Sequence, residues 1–304
     1  MASRAGIWHG TGSPMNTMRR LFLILLVVGV HCQADGETLR VVAANLTSGR
    51  HQEYSPDNSN HSNPEGAGAR ILKALRPDVV LIQEFSTTIP VRQWVNRTFG
   101  PEFSFFREDQ KDVPNFIPNG VISRFPIIES GVWDDPAMTN REFAWAKIRL
   151  PNGRNLWAIS VHFYAQKPEI RTREAQALVE KIQSVIPAED LVVLGGDLNT
   201  RNRDEECVTV LRALFPAPEA EPADQEGNEN TNGNRNRPYD WILVDTDLAA
   251  WTAPVTLAGE EFPGGLVFDS RVFTPLSAVP PVQPGDSATF NMQHMAVVRD
   301  FALP

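Results

Sequence analysis

Along this chain, short apolar runs of strand length keep ending in, or carrying, a polar residue out of keeping with its neighbours. These residues are Asn45, Glu84, His162, Asp197 with Asn199, Asp240 and His294. Apolar runs of this kind, bounded by glycine and other turn residues, read as core strands. The sharpest case is "LVVLGGDLNT" at 191–200, where two glycines close the strand and Asp197 and Asn199 stand at its mouth. Asp and Asn commonly hydrogen-bond their own turn, and any one of these residues alone reads as a cap or a satisfied core group. Recurring at one strand after another, they read as a constellation.

The elements between them alternate. "TLRVVAANL" (38–46) is a buried strand, "GAGARILKALRPD" (66–78) a helix that stops before Pro77, and "VVLIQEF" (79–85) the next strand. "NGVISRFPIIESGVW" (119–133) holds two strands broken at Pro126, and residues 142–163 form a hairpin turning at Asn152 and Gly153. In residues 168–186, Ala175, Leu178, Val179, Ile182 and Ile186 share one stripe, which predicts an amphipathic helix packed on a sheet. "PYDWILV" (238–244) and "HMAVVRDF" (294–301) are the last strands. Residues 216–237 are poor in apolar side chains and rich in Pro, Glu and Asn, so a long mobile surface loop is expected there. There is no internal repeat or interdomain linker, which leaves one two-layered α/β domain, and a chain of 304 residues can bury its core.

At the N-terminus, Arg19 and Arg20 precede the apolar run "LFLILLVVGV" (21–30), followed by small residues. Ten apolar residues are too few to span a bilayer. Residues 1–34 are therefore expected to be a leader with a secretory signal peptide. Residues 35–304 form the folded domain, which is secreted or periplasmic, monomeric and without a transmembrane segment after processing. Removing 1–34 takes Arg4, Arg19 and Arg20 and no acidic residue, so 28 basic against 37 acidic side chains (−9) becomes 25 against 37 (−12). So acidic a protein does not clamp a nucleic-acid backbone with clustered Lys and Arg, although a nuclease that grips its substrate through a metal remains compatible. Only Cys207 survives processing, so no disulfide is expected and the thiol is structural.

A carboxylate able to hold a hard cation, a base for water and donors around an anion are what phosphoester hydrolysis requires. With "AANL", "LIQEF", "NGVISRFPI", "ISVHF", "GGDLN", "YDWILV" and "QHMAVV" in this order, the chain resembles the endonuclease/exonuclease/phosphatase superfamily from about Leu39 to Phe301. The resemblance implies a deoxyribonuclease I-like α/β fold, a two-layered β-sandwich flanked by helices. It implies a metal-dependent hydrolase acting on a phosphate ester, nucleic acid among the candidates, with Mg2+ or Mn2+ as cofactor. It assigns Glu84, with Asn45, to the metal, and Asp197 to the attacking water. It assigns Asn199 to a phosphate oxygen, His294, held by Asp240, to the phosphate or to base catalysis, and His162 to charge on the transferring phosphate. A nuclease, a phospholipid or sphingolipid phosphodiesterase and a sugar or inositol phosphatase all remain open. Specificity would lie in loops at 46–64, 107–118 and 200–237.

Two positions depart from the family pattern. The family usually has Asp immediately before the final His, where this chain has Gln293, with a carbonyl oxygen and no charge for the metal. The alternative is therefore a protein that binds a phosphorylated ligand without turning it over. Leu46 stands where an aromatic residue is common. Arg235 and Arg237 precede Asp240 and are candidates for guiding an anionic substrate, with ordinary solvated charges as the plainer alternative. Trp133, Trp145 and Trp157 are expected in the core. Asn45-Leu-Thr47 and Asn96-Arg-Thr98 match the glycosylation sequon, the first by accident if Asn45 lines the site.

Overall fold

A computed structural model describes residues 37–48, 54 and 66–304. The expected leader at 1–34 and most of the 46–64 loop lie outside these residues. In chain order the described elements begin with β1 (Thr38–Ala44), α1 (Ala67–Leu75), β2 (Val79–Ile82), α2 (Val91–Thr98), β3 (Ser104–Arg107) and β4 (Gly120–Ser123). Next come β5 (Ile127–Trp133), β6 (Phe143–Arg149), β7 (Asn155–His162), α3 (Pro168–Val185), β8 (Leu191–Asp197), α4 (Glu206–Leu211) and β9 (Asp240–Val244). The chain closes with α5 (Thr246–Ala249), β10 (Thr252–Ala253), β11 (Val255–Leu257), β12 (Glu260–Phe262), β13 (Leu266–Phe268) and β14 (Ala296–Ala302).

Two large sheets result, ordered β10-β14-β1-β2-β4-β3, with β13 also on β14, and β5-β6-β7-β8-β9, besides a two-stranded ribbon of β11 and β12. Strand alternation distributes the apolar side chains between three cores. Leu39, Val41, Ala43, Val79 and Leu81 of the first sheet meet Ala146, Ile148, Ala158, Val193 and Ile242 of the second. The opposite faces carry Val42, Val80 and Ile82 against Ile71, Leu72 and Leu75 of α1 and Trp94 of α2. On the far side, Ile159, Val161 and Leu194 meet Ala175, Leu178 and Ile182 of α3 and Cys207 and Leu211 of α4. The architecture is the expected sandwich between helices, and the central strands read as continuous apolar runs because both of their faces are covered. No helix of the described residues is long and apolar enough to cross a membrane.

Two glycines are fixed by close approach. A Cβ on Gly68 would lie 2.2 Å from the Leu46 carbonyl oxygen, so α1 packs directly on the segment leaving β1. Gly196 has φ +132°, and a Cβ there would come 2.2 Å from the Val161 carbonyl and 2.5 Å from Gln83 Nε2. Gly196 of "GGD" therefore lets β7 and β8 close up beneath Asp197.

The first two strands end earlier than their apolar runs suggested, at Ala44 and Ile82. Glu84 takes a left-handed φ of +50°, which breaks the strand. The larger correction concerns 216–237. Several of its polar side chains satisfy the backbone instead of facing solvent. Asp224 Oδ1 accepts the Glu226 and Asn228 N–H groups, both at 2.9 Å, and Asn232 Oδ1 accepts those of Asn236 at 2.8 Å and Arg237 at 2.9 Å. Arg235 fills the centre of the loop. Its guanidinium donates to Asn230 O at 2.7 Å, Asn228 O at 3.1 Å, Asp224 Oδ2 at 2.6 Å and Asp269 Oδ2 at 2.8 Å. Arg235 is thus an internal counter-ion, with its donors already committed before any substrate arrives.

Breaking a buried pair by removing one partner leaves the other charge uncompensated, at a cost of about 3–5 kcal/mol. Arg235→Met keeps the backbone of this position and strips the charge from between Asp224 and Asp269, the latter still paired with Arg271. A loss near the lower end of that range, about 3 kcal/mol, is expected in urea unfolding. An unchanged midpoint would mean that the loop does not depend on this cation.

Candidate active site

Strand direction brings the polar residues together. β1 and β2 run parallel with Ala44 opposite Ile82, so Asn45 and Glu84 leave the first sheet at one end. β7 and β8 run parallel with His162 opposite Asp197, and antiparallel β9 sets Asp240 opposite Asp197. β14 runs antiparallel to β1 with Val297 opposite Ala43, so His294, just ahead of β14, arrives at the same end. One end of the sandwich thus collects residues separated by up to 249 positions.

Asn45 is the hub. Its Nδ2 lies 3.4 Å from Glu84 Oε1, 3.3 Å from Asp197 Oδ2 and 3.4 Å from His294 Nε2. Thr47 Oγ1 donates to Glu84 Oε2 at 3.0 Å. Asp197 Oδ2 sits 3.2 Å from His162 Nε2 and 3.6 Å from His294 Nε2, and His294 Nδ1 faces Asp240 Oδ2 at 3.0 Å. Asn199 has φ +52°; its N–H donates to Asp197 Oδ1 at 2.8 Å and its Nδ2 to Phe163 O at 3.0 Å. The turn therefore uses one oxygen of Asp197 and one amide hydrogen of Asn199, and the second oxygen of Asp197 faces the cluster. Left-handed backbone at both Glu84 and Asn199 places strain at this rim. Gln293 is exposed, its carbonyl accepting the Gly233 N–H at 2.6 Å, and no side-chain hydrogen bond among the described residues joins it to the cluster.

The protonation states follow from this packing. Burial opposes charge on His294, yet the Asp240 and Asp197 carboxylates overcome it and push the imidazole up to about 10, so it is a cation at neutral pH. Burial raises Asp197 to about 7, with Asp240 and Glu84 adding to the rise and His294 and the Asn199 N–H opposing it. His162 is held well below its ordinary value by burial first, then by Arg141 and His294. It is a neutral ring with one hydrogen to give, and does not supply a full positive charge.

Arg141 is a residue that sequence reading passed over. It is buried behind the centre and donates to the carbonyls of His162 and Phe163, the latter at 3.0 Å, fixing the strand end that carries His162. Nothing in a lone Arg ahead of a hairpin signals this. Behind it, Glu174 of α3 accepts the Tyr164 N–H at 2.9 Å, and Asp135 Oδ2 is buried without a donor. Burial and the neighbouring Asp135 raise Glu174 to about 9, so a proton on Glu174 satisfies that orphaned oxygen.

The donor set of the cluster includes oxygens suited to a divalent cation. Asn45 Oδ1 is buried without a hydrogen-bond partner among the described residues, beside the half-buried Glu84 carboxylate. Two such oxygens suit a hard, oxygen-seeking ion. Asp197, Asp240 and His294 also bring ligand atoms within 4.8 Å of one another. There the charged His294 already supplies the cation, so Glu84 and Asn45 fit the metal better.

The model of the endonuclease/exonuclease/phosphatase family matches residues 58–270, and the chain belongs to that family. Asn45 and His294 lie outside the matched span. Among solved structures, an endonuclease/exonuclease/phosphatase from Bacteroides vulgatus is 15% identical with a TM-score of 0.58, over 88% of this chain and 100% of that one. The catalytic domain of human nocturnin, with a bound sulfate anion, is 14% identical with a TM-score of 0.59, over 88% and 95%. D. rerio TDP2 complexed with a single-stranded DNA product is 16% identical with a TM-score of 0.52, over 87% and 99%. At these identities the likeness shows the shared fold. No curated protein matches the sequence.

Glu174 gives a pH prediction. Its folded pKa, about 9, stands above the ordinary 4.5, so its proton stabilises the fold fully below about pH 4.5 and that contribution is lost as pH rises through 9. Glu174→Gln keeps a donor for Asp135 without titrating. The melting temperature of the variant should gain on the wild type steadily between pH 5 and pH 9. A constant difference across that range would mean that Glu174 does not hold the proton.

Proposed function

We propose that this protein is an exported, divalent-metal-dependent phosphoesterase that hydrolyses a phosphoric ester by in-line attack of water. The observation that carries the reading is the convergence of Asn45, Glu84, His162, Asp197, Asp240 and His294 on one end of the sandwich, with His294 charged and Asp197 poised near neutrality. Glu84 and Asn45 would hold the cation, which when bound polarises the ester and offsets charge on the leaving oxygen. The cluster-facing oxygen of Asp197, Oδ2, orients water and takes its proton, a task suited to a base whose pKa lies near the working pH. His294, kept charged by Asp240, donates to a non-bridging phosphoryl oxygen. His162 gives its single hydrogen towards Asp197, and Asn199 keeps one amide hydrogen for the phosphate. The bound sulfate of human nocturnin and the single-stranded DNA product of D. rerio TDP2 support an anionic ligand for this fold. Gln293 favours one other reading, phosphate binding without turnover.

Asp197→Ala removes the base, and general-base groups contribute about 10²–10⁴-fold. With bis(4-nitrophenyl) phosphate and 4-nitrophenyl phosphate, hydrolysis supported by magnesium or manganese should vanish with chelator and fall by at least about a hundredfold in the variant. Turnover indifferent to both would sink the proposal. Absent turnover together with tight binding of a phosphorylated ligand would favour the Gln293 alternative.

Export rests on Arg19, Arg20 and the apolar run at 21–30. Edman sequencing of the full-length product expressed in a secreting bacterial host should find a new N-terminus close to residue 35, in the periplasm or medium. An intact N-terminus retained in the cytoplasm would rule the leader out.

A further inference from the structure

Of the two basic residues ahead of Asp240, Arg235 is enclosed by the loop and Arg237 is not. Arg237 is exposed, and among the described residues no carboxylate pairs with it. Its guanidinium makes one side-chain hydrogen bond, from Nη1 to the Tyr239 hydroxyl at 3.3 Å. Tyr239 is half-buried, and its ring centroid lies 5.6 Å from that of His294.

The backbone under Arg237 is held on both sides. Its N–H donates to Asn232 Oδ1 at 2.9 Å, and its carbonyl accepts the N–H groups of Thr231 at 2.9 Å and Asn232 at 3.1 Å. Asn232 in turn forms an antiparallel bridge with His294. The guanidinium thus stands one tyrosine ring away from His294, on backbone that Asn232 ties to His294 itself. In a chain with 37 acidic and 28 basic residues, an exposed Arg without an acidic partner leaves a planar fork of donors available. That fork matches the oxygens of a phosphate.

We propose that Arg237, steered by Tyr239, forms a subsite beside the centre that takes a second phosphate on the substrate, next to the one cleaved. The inference rests on the phosphoesterase reading above and narrows it to esters carrying a flanking phosphate. That phosphate belongs either to the next nucleotide of a strand or to a bisphosphorylated sugar, and two substrate pairs separate these sources. The first pair is thymidine 5′-(4-nitrophenyl phosphate) with and without a 3′-phosphate. The second is fructose 1,6-bisphosphate beside fructose 6-phosphate.

In the pair that matches the natural source, the added phosphate should raise kcat/KM by about tenfold or more through KM, the size of one charged hydrogen bond. Arg237→Gln should bring that ratio close to one, Arg237→Lys should retain part of it, and Tyr239→Phe should fall between, all with the wild-type melting temperature. A ratio that survives Arg237→Gln, or one near unity in the wild type for both pairs, overturns the subsite while leaving the phosphoesterase reading intact. If no ester is hydrolysed with any metal, that reading fails and the subsite is measured by calorimetry with thymidine 3′,5′-bisphosphate. Arg237→Gln should then weaken binding about tenfold, and equal affinity in the two proteins overturns the proposal.

Discussion

Both sheets of this sandwich are covered on both faces, and that constraint decides where charge can go. A strand buried front and back offers no water to a carboxylate along its length, and an unpaired buried charge costs several kcal/mol. The carboxylates, amide and histidines of the cluster therefore stand at the ends of β1, β2, β7, β8, β9 and β14 or just beyond them, and strand direction brings those ends together. One polar tie crosses between the sheets close to this end. Gln83 Nε2 donates to Ser160 Oγ at 2.9 Å, and Ser160 Oγ donates to the Ile82 carbonyl at 2.9 Å. Gly196, without a side chain, leaves room for Gln83. The two halves of the site are thereby tied to each other by two consecutive buried hydrogen bonds.

Three carboxylates, from Glu84, Asp197 and Asp240, would repel one another if nothing separated them. The geometry places the His294 imidazolium between Asp240 and Asp197 and turns the Asn45 amide hydrogens towards Glu84 and Asp197. Burial is what chiefly raises Asp197, with Asp240 and Glu84 adding to it, so an added divalent ion beside these carboxylates would be stabilising. On the proposed reading an acidic protein can receive a phosphate, because the anion would meet a metal and a charged histidine before the net charge of the chain.

Much of this was legible in the sequence because it obeys local rules. The apolar runs ending in Asn45, Glu84, His162 and Asp197 gave the strands of the site, Pro126 marked the break between β4 and β5, and Asn152-Gly153 the turn between β6 and β7. The helix α2 was passed over because its eight residues carry little besides Val91, Trp94 and Val95 to mark a buried face. Arg141 was illegible for a different reason. Its partners are the backbone carbonyls of His162 and Phe163, and a carbonyl leaves no trace in a sequence. Tyr164 and Glu174 pair in the same silent way.

The loop at 216–237 shows why composition misled. Low apolarity with many Asn and Glu residues describes solvated chain when the side chains face water. Here Asp224, Asn228 and Asn232 bond backbone N–H groups two to five residues ahead, as Asx turns do, and the carbonyls left over point inward at Arg235. Carbonyl and carboxylate oxygens converging on one cation is the arrangement of a calcium loop, with a guanidinium in place of the ion. A loop built around its own cation needs no apolar core to hold its shape. Its far end can therefore carry Thr231 to the Asp240 N–H at 2.7 Å and Asn232 to His294, so the same polar stretch that looked mobile fixes the histidine pair from outside the sheet.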